Sequence, residues 1–201
     1  MKKRIYVTLL LFALIGFSVF SQVADKAEGI SPILIGETLP NATLYNANNE
    51  GKSVAEIINK PTVLIFYRGS WCPYCNVHLS ELVKIEADIL KMGYQIVAVS
   101  PDDFQNLDET TEKIKINYQL YSDKNADFIK ALGIGFKVPE KSRAYITTKT
   151  KGNTTEVLPV PTVLILNNKQ EILMEYISPN FKKRLSSKLL LALLEGLGEE
   201  Q

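Results

Sequence analysis

The chain of 201 residues has two cysteines, one histidine and one tryptophan. Two thiols are half of what a four-cysteine zinc cluster needs. They are also a poor structural staple. Cys72 and Cys75 are three apart, so a bridge between them closes a very short loop and removes little entropy from the unfolded chain. Excess charge is missing too: 23 Lys and Arg stand against 22 Asp and Glu. That balance gives no electrostatic reason to expect nucleic acid. Internal repeats and low-complexity tracts are absent, and the length fits one domain with one sizeable core. Long hydrophobic runs are scarce. The exception, Ile5 to Phe20, is shorter than the ~20 residues a spanning helix needs.

That run follows Met1-Lys2-Lys3-Arg4, a basic segment ahead of an apolar one, and Val19-Phe20-Ser21 approximates a small-x-small cleavage site. The expectation is a signal peptide over 1–21, a linker over 22–34 and a folded domain over 35–198, located in the periplasm or outside the cell. An uncleaved amino-terminal anchor is the alternative. No cysteine follows the apolar run, which argues against a lipoprotein anchor. The folded domain is not expected to be membrane-embedded. An oxidising compartment favours the Cys72–Cys75 disulfide at rest unless a reductant is supplied.

The pattern along the chain alternates buried strands with helices. Thr62 to Tyr67 and Gln95 to Ser100 are β-branched and apolar runs of the kind buried on both faces. Between them, Val77, Leu79, Leu82, Val83, Ile85 and Ile89 recur at helical spacing, with Pro73 in the first turn and Met92-Gly93 as the stop. Ser53 with Glu56 predicts a capping box on a short helix to Ile58. Asp102 or Asp103 is expected to cap a helix reaching Lys115. Gln119–Ser122 reads as a strand and Ala126–Leu132 as a helix ended by Gly133. Ala144–Thr148 and Thr155–Leu158 read as a hairpin across Lys151-Gly152-Asn153. Thr162–Leu166 and Glu171–Ile177 form a second hairpin, and Leu185–Leu197 the last helix. The sum is an α/β fold, a central mixed sheet with helices on both faces.

The chemistry concentrates in Phe66-Tyr67-Arg68-Gly69-Ser70-Trp71-Cys72-Pro73-Tyr74-Cys75, a strand-to-helix junction. A thiolate is the nucleophile toward disulfides and peroxides, and free N–H groups at a helix start stabilise it. A second thiol one turn on is close enough to resolve a mixed disulfide. Pro73 stiffens the first turn, and Trp71 is positioned to cover the sulfur. Tyr74 and the lone His78 read as surface residues, and Lys182-Lys183-Arg184 as a solvated face. Arg68 is the nearest cation for peroxide activation, with Arg143 second and surface ion pairing the bland role of each. Glu81, Glu86, Asp102 and Asp103 are the carboxylates near enough to accept a proton.

With Val99-Ser100-Pro101-Asp102, Ser122-Asp123, Leu158-Pro159-Val160-Pro161-Thr162 and Ser178-Pro179-Asn180-Phe181-Lys182-Lys183-Arg184, the motif resembles a thioredoxin-fold protein. It is more closely similar to the peroxiredoxin-like family of the alkyl hydroperoxide reductase/thiol-specific antioxidant type, over about residues 34–197. The resemblance implies a thioredoxin-like fold and a cis bond before Pro161 beside the thiols, where the backbone pairs with an extended substrate chain. Typical members carry Thr or Ser three residues before the peroxidatic cysteine, and an arginine just before a late strand. Here Cys72 takes the first position, and Val160-Pro161 supplies no arginine. A peroxiredoxin-type alignment makes Cys75 the attacking thiolate; a thioredoxin-type alignment, favoured by helix-terminus electrostatics, makes it Cys72.

The expected function is an exported thiol-dependent antioxidant oxidoreductase. It would reduce hydrogen peroxide or organic hydroperoxides through a Cys72/Cys75 dithiol–disulfide cycle, recharged by a thioredoxin-like reductant, with no metal and no further cofactor. The alternatives are a thioredoxin-type oxidoreductase acting on protein disulfides, a copper-binding chaperone and a non-catalytic thioredoxin-like module.

Overall fold

In the computed structural model, residues 23–150 and 156–199 are described. The expected signal segment 1–21 and the turn Lys151-Gly152-Asn153 lie outside the described residues. The elements are β1 (Thr43–Tyr45), β2 (Gly51–Ser53), α1 (Val54–Ile57), β3 (Thr62–Phe66), α2 (Pro73–Lys91), β4 (Gln95–Ser100), α3 (Gln105–Ile114), β5 (Gln119–Ser122), α4 (Asp127–Ala131), β6 (Gly135–Lys137), α5 (Glu140–Lys149), β7 (Val157–Pro159), β8 (Thr162–Leu166), β9 (Ile172–Ile177) and α6 (Ser187–Glu199). Among the described residues no helix is long and apolar enough to cross a membrane.

Seven strands form one mixed sheet in the order β2-β1-β5-β4-β3-β8-β9. Strand β3 sits inside it, parallel to β4 and antiparallel to β8. All five of its residues are buried. Val63 and Ile65 face Leu79, Leu82 and Ile89 of α2 and Leu190 and Leu194 of α6. Leu64 and Phe66 face Val54 and Ile57 of α1 and Phe128 and Ile129 of α4. This is why a continuous apolar run, not an alternating one, marks the strand: both faces are covered. Each such aliphatic residue contributes about 1.5–3 kcal/mol through burial. The parallel β3–α2–β4 crossover ends β3 and begins α2 at the same sheet edge, which is where the two cysteines fall.

Local signals held where they were self-contained. Ser53 and Glu56 make the reciprocal capping box. Gly93 and Gly133 both end helices with left-handed φ, +87° and +69°. Asp103 Oδ1 accepts from Gln105 N (3.2 Å) at the start of α3, while the Asp102 carboxylate turns away from that helix.

Two expectations are corrected. The segment 144–148 is not a strand but part of helix α5. Thr147 and Thr148 give their hydroxyl protons to the carbonyls of Arg143 and Ala144 (both 2.9 Å), so their β-preferring side chains are absorbed by the helix backbone. Strand β7 pairs instead with β6 in a separate two-stranded sheet. The second correction concerns the linker expected over 22–34, of which residues 23–34 are described. Ala24 bridges to Phe136, Ser31 N donates to Gly133 O (3.1 Å) and Ile33 N to Leu132 O (3.1 Å), so the segment is strapped across the α4–β6 turn. Packing of Val23 and Ile33 on the core supplied a partner that no local pattern announces.

The strap yields a paired expectation. An alanine Cβ at Gly133 would collide with the Ser31 carbonyl, whereas one at Gly93 would meet nothing. Gly93→Ala should cost about 1–2 kcal/mol for its left-handed backbone alone, and Gly133→Ala at least about 3 kcal/mol. Urea unfolding of the two variants measures this; equal losses would mean that the strap does not press on Gly133.

Candidate active site

Strand β3 delivers its chain into Tyr67-Arg68-Gly69-Ser70-Trp71 before α2 begins at Pro73 with Cys72 as its N-cap. Gly69 has φ +142°, and a Cβ there would collide with Trp71 Nε1 and Asp102 Oδ1, so the turn requires glycine. The loop is held at three points. Ser70 N donates to Asp102 Oδ2 (2.6 Å), Asn76 Nδ2 to Ser70 O (2.9 Å) and Cys72 N to Gly69 O (3.1 Å). Asp102 is buried at the end of β4, and burial raises its carboxyl to about 6 against the opposing pull of the Ser70 N–H.

Cys72 and Cys75 are both thiols in this structure and both buried. The Cys75 thiol is hydrogen-bonded to Cys72, and Arg68 and Arg184 add positive charge. Together these bring Cys72 down to about 6 in spite of burial, with the thiol–thiol hydrogen bond the largest cause. Cys75 is pushed up, first by burial and then by donating to, and lying beside, the Cys72 charge. The pair therefore shares one proton and one negative charge, with the charge on Cys72.

A cationic and aromatic wall stands over the pair. The Arg68 guanidinium carbon lies 4.9 Å from the Trp71 ring centre and 4.6 Å from that of Phe181. Tyr145 meets Trp71 edge-on (6.1 Å) and Tyr74 meets Phe181 likewise (5.7 Å). Tyr74 is exposed, as expected, yet it closes this wall. Beside it runs a groove of about 860 Å³ whose lining includes Arg68, Phe136, Val138, Pro161 and Phe181. Neither that groove nor a second hollow of about 580 Å³, at Asn41, Tyr45, Asp123 and Lys124, is lined by a thiol.

The profile of the AhpC/TSA family matches residues 35–174. This chain belongs to the AhpC/TSA family. It is 27% identical over 109 residues to the 1-Cys peroxiredoxin PER1 of Arabidopsis thaliana, a match covering 51% of this chain and 50% of the relative. The chain thus spans about half the length of that relative. It is 24% identical over 184 residues to the thiol-disulfide oxidoreductase ResA of Halalkalibacterium halodurans, 89% of this chain and 97% of the relative. Among solved structures, reduced Prx3 from Vibrio vulnificus superposes with a TM-score of 0.70 at 21% identity, over 81% of this chain and 99% of that one. The AhpC/TSA resemblance read from the motif is therefore upheld, and with it the thioredoxin-like α/β fold.

Within that AhpC/TSA frame, three residue readings change. The Val160–Pro161 bond is trans, not cis. Val160 N donates to Ile134 O (2.9 Å) and Val160 O accepts from Thr162 Oγ1 (2.9 Å), so the residue before β6 and the first residue of β8 satisfy an extended trans backbone. His78 is not a surface residue: it is 7% exposed, and burial followed by the nearby Arg184 charge lowers it to about 4, leaving it neutral. Arg184 does not belong to a solvated face, although Lys182 and Lys183 do. Its Nη2 donates to Cys75 Sγ at 3.3 Å. Sequence reasoning missed Arg184 because 109 positions separate it from Cys75; its one signal was membership of the Ser178–Arg184 segment that carried the family resemblance.

The other candidates stay where expected. Arg143 pairs with Glu140 (2.7 Å) and Glu156 (2.5 Å). Glu81 pairs with Lys84, and Glu86 accepts from Asn117. Of the four carboxylates, only Asp102 is tied to the thiol loop. Thiolate absorbance of the reduced protein near 240 nm should rise with a midpoint near pH 6. Cys72→Ser should abolish that step. Reactivity should correspondingly fall as pH drops below about 6, because protonation removes the nucleophile. A first midpoint near the ordinary cysteine value would refute the shared-proton arrangement.

Proposed function

We propose that this chain is an exported thiol peroxidase in which Cys72 attacks hydrogen peroxide or an organic hydroperoxide and Cys75 resolves the product. The observation that carries the reading is Cys72 itself, a sulfur favoured as the anion yet only 1% exposed. A hydroperoxide needs only a narrow approach. A protein disulfide must bring its backbone with it, and both polar groups of Val160, the residue before Pro161, are already taken within the fold.

The Cys72 sulfur attacks the terminal peroxide oxygen. The S–O bond forms, the O–O bond breaks, and the alkoxide leaves and takes a proton to become the alcohol or water. Arg68, over Trp71 and Phe181 and facing the groove, supplies positive charge where the leaving oxygen develops negative charge. Cys75 then displaces hydroxide from the Cys72 sulfenic acid to give the disulfide and water. A thioredoxin-like dithiol returns two electrons. The basic and then apolar opening of the chain supports export.

A second reading, thiol–disulfide exchange, is favoured by the intact pair spaced one turn apart and by the likeness to ResA over nearly the whole chain. Stopped-flow mixing of the reduced protein with hydrogen peroxide, followed by Trp71 fluorescence, separates the two. The wild type should react at least about a hundredfold faster than free cysteine. Cys72→Ser should lose this fast reaction, and Cys75→Ser should react once and halt at the sulfenic acid. If neither thiol outpaces free cysteine while the disulfides of insulin are reduced, exchange is the function.

A further inference from the structure

Arg184 sits in the turn between β9 and α6, and its guanidinium is fixed from both sides. Nη1 donates to the carbonyls of Phe181 and Lys183 (2.8 Å to the latter), and Nη2 to Cys75 Sγ (3.3 Å). None of the ion pairs among the described residues includes Arg184, so no carboxylate offsets the charge it presents to the sulfur. A guanidinium with no carboxylate partner, donating to a buried sulfur, is a poor fit to a neutral thiol and a good fit to a thiolate.

In the dithiol, however, Cys75 keeps its proton, because it donates to the Cys72 anion beside it and a second anion there is opposed. Once Cys72 has been converted to a sulfenic acid or a mixed disulfide, its charge is gone. The hydrogen bond that held the Cys75 proton loses its acceptor, and the repulsion vanishes. Burial still opposes ionisation; the Arg184 guanidinium favours it.

We propose that Arg184 is a catalytic residue for the second half of the cycle, making Cys75 a thiolate only after Cys72 has become the electrophile. The assignment rests on Cys72 attacking first and not on which oxidant it attacks. In the step, the Cys75 sulfur lone pair attacks Cys72 Sγ. The S–S bond forms and the bond from Cys72 Sγ to its hydroxyl or to the foreign sulfur breaks. The leaving hydroxide or thiolate carries off the proton that Cys75 released. The arginine thus orders the two thiols in time: while Cys72 is an anion its charge only adds to what holds that anion, and afterwards it becomes decisive for Cys75.

The test uses the full chain, reduced, with the aromatic disulfide 5,5′-dithiobis(2-nitrobenzoate) at neutral pH. The first equivalent of thionitrobenzoate reports attack by Cys72, and the second reports resolution by Cys75. Arg184→Met should slow the second release at least about tenfold more than the first, the equivalent of one unit in the Cys75 pKa. Arg184→Lys should recover part of the loss, and Cys75→Ser should lose the second release entirely. With hydrogen peroxide, Arg184→Met should accumulate a Cys72 sulfenic acid, captured by dimedone and seen as a mass adduct. Arg184→Gln, which keeps a donor for the Phe181 carbonyl, provides a second neutral variant should methionine disturb the turn. Equal slowing of both releases, or an unchanged second release in both neutral variants, overturns the assignment. A slowed second release in a protein inert to peroxide would leave Arg184 in place and defeat the peroxidase reading instead.

Discussion

The Cys75 thiol donates to the sulfur of Cys72, and on that contact the character of the whole site depends. A buried thiol is ordinarily driven toward its neutral form, since a thiolate loses its hydration on leaving water. Here the second cysteine supplies a proton donor in place of water, and Arg68 and Arg184 supply positive charge. The two sulfurs then divide one charge unequally, and the inequality turns a symmetric pair of residues into a nucleophile and its partner. Neutral His78 leaves that charge to be set by the two thiols and the two arginines.

This arrangement requires that the chain arrive at α2 by one route only. Gly69 permits the turn, Asp102 holds Ser70 N and Asn76 holds Ser70 O, so the three residues before Cys72 are tied down from the end of β4 and from α2 itself. Asp102 can do this because β4 lies beside β3 in parallel register, Phe66 opposite Val99, which brings the ends of both strands to the same edge. The sheet is thus part of the chemistry in a literal sense. A shift in the β3–β4 register would carry the carboxylate away from the loop it holds.

Positive charge reaches the pair from two unrelated places. Arg68 comes from the loop itself and is held between Trp71 and Phe181; Arg184 comes from the far end of the sheet and reaches Cys75 directly. The family pattern sets an arginine in front of a late strand, a position that Val160-Pro161 leaves empty here. Substituting an arginine from the following turn is chemically possible because a guanidinium acts through geometry and charge, not through the segment that carries it. The Ser178–Arg184 turn, packed through Phe181 against Arg68 and Tyr74, is therefore tied to the redox loop on two sides.

Most of the architecture was legible from local signals: the runs that became β3, β4, β5 and β8, the capping box at Ser53, and the glycine stops at Gly93 and Gly133. Each reflects physics acting within a few residues, whether burial of a short strand or a backbone angle that glycine alone adopts freely. Reading failed where a distant partner overrode local preference. The threonine-rich 144–148 joined a helix because β7 pairs with β6, and the segment before Ile35 proved to be a strap because Gly133 and Leu132 offered it carbonyl acceptors. For the site, the sequence by itself determined that two thiols stand one turn apart at a helix start, since spacing along a helix is set by backbone geometry. Which thiol carries the charge, that His78 is buried and neutral, and that Arg184 faces Cys75 were decided only by the tertiary structure. Desolvation and Coulomb attraction depend on distances through space, and the 109 positions between Arg184 and Cys75 say nothing about the 3.3 Å that separates their reacting atoms.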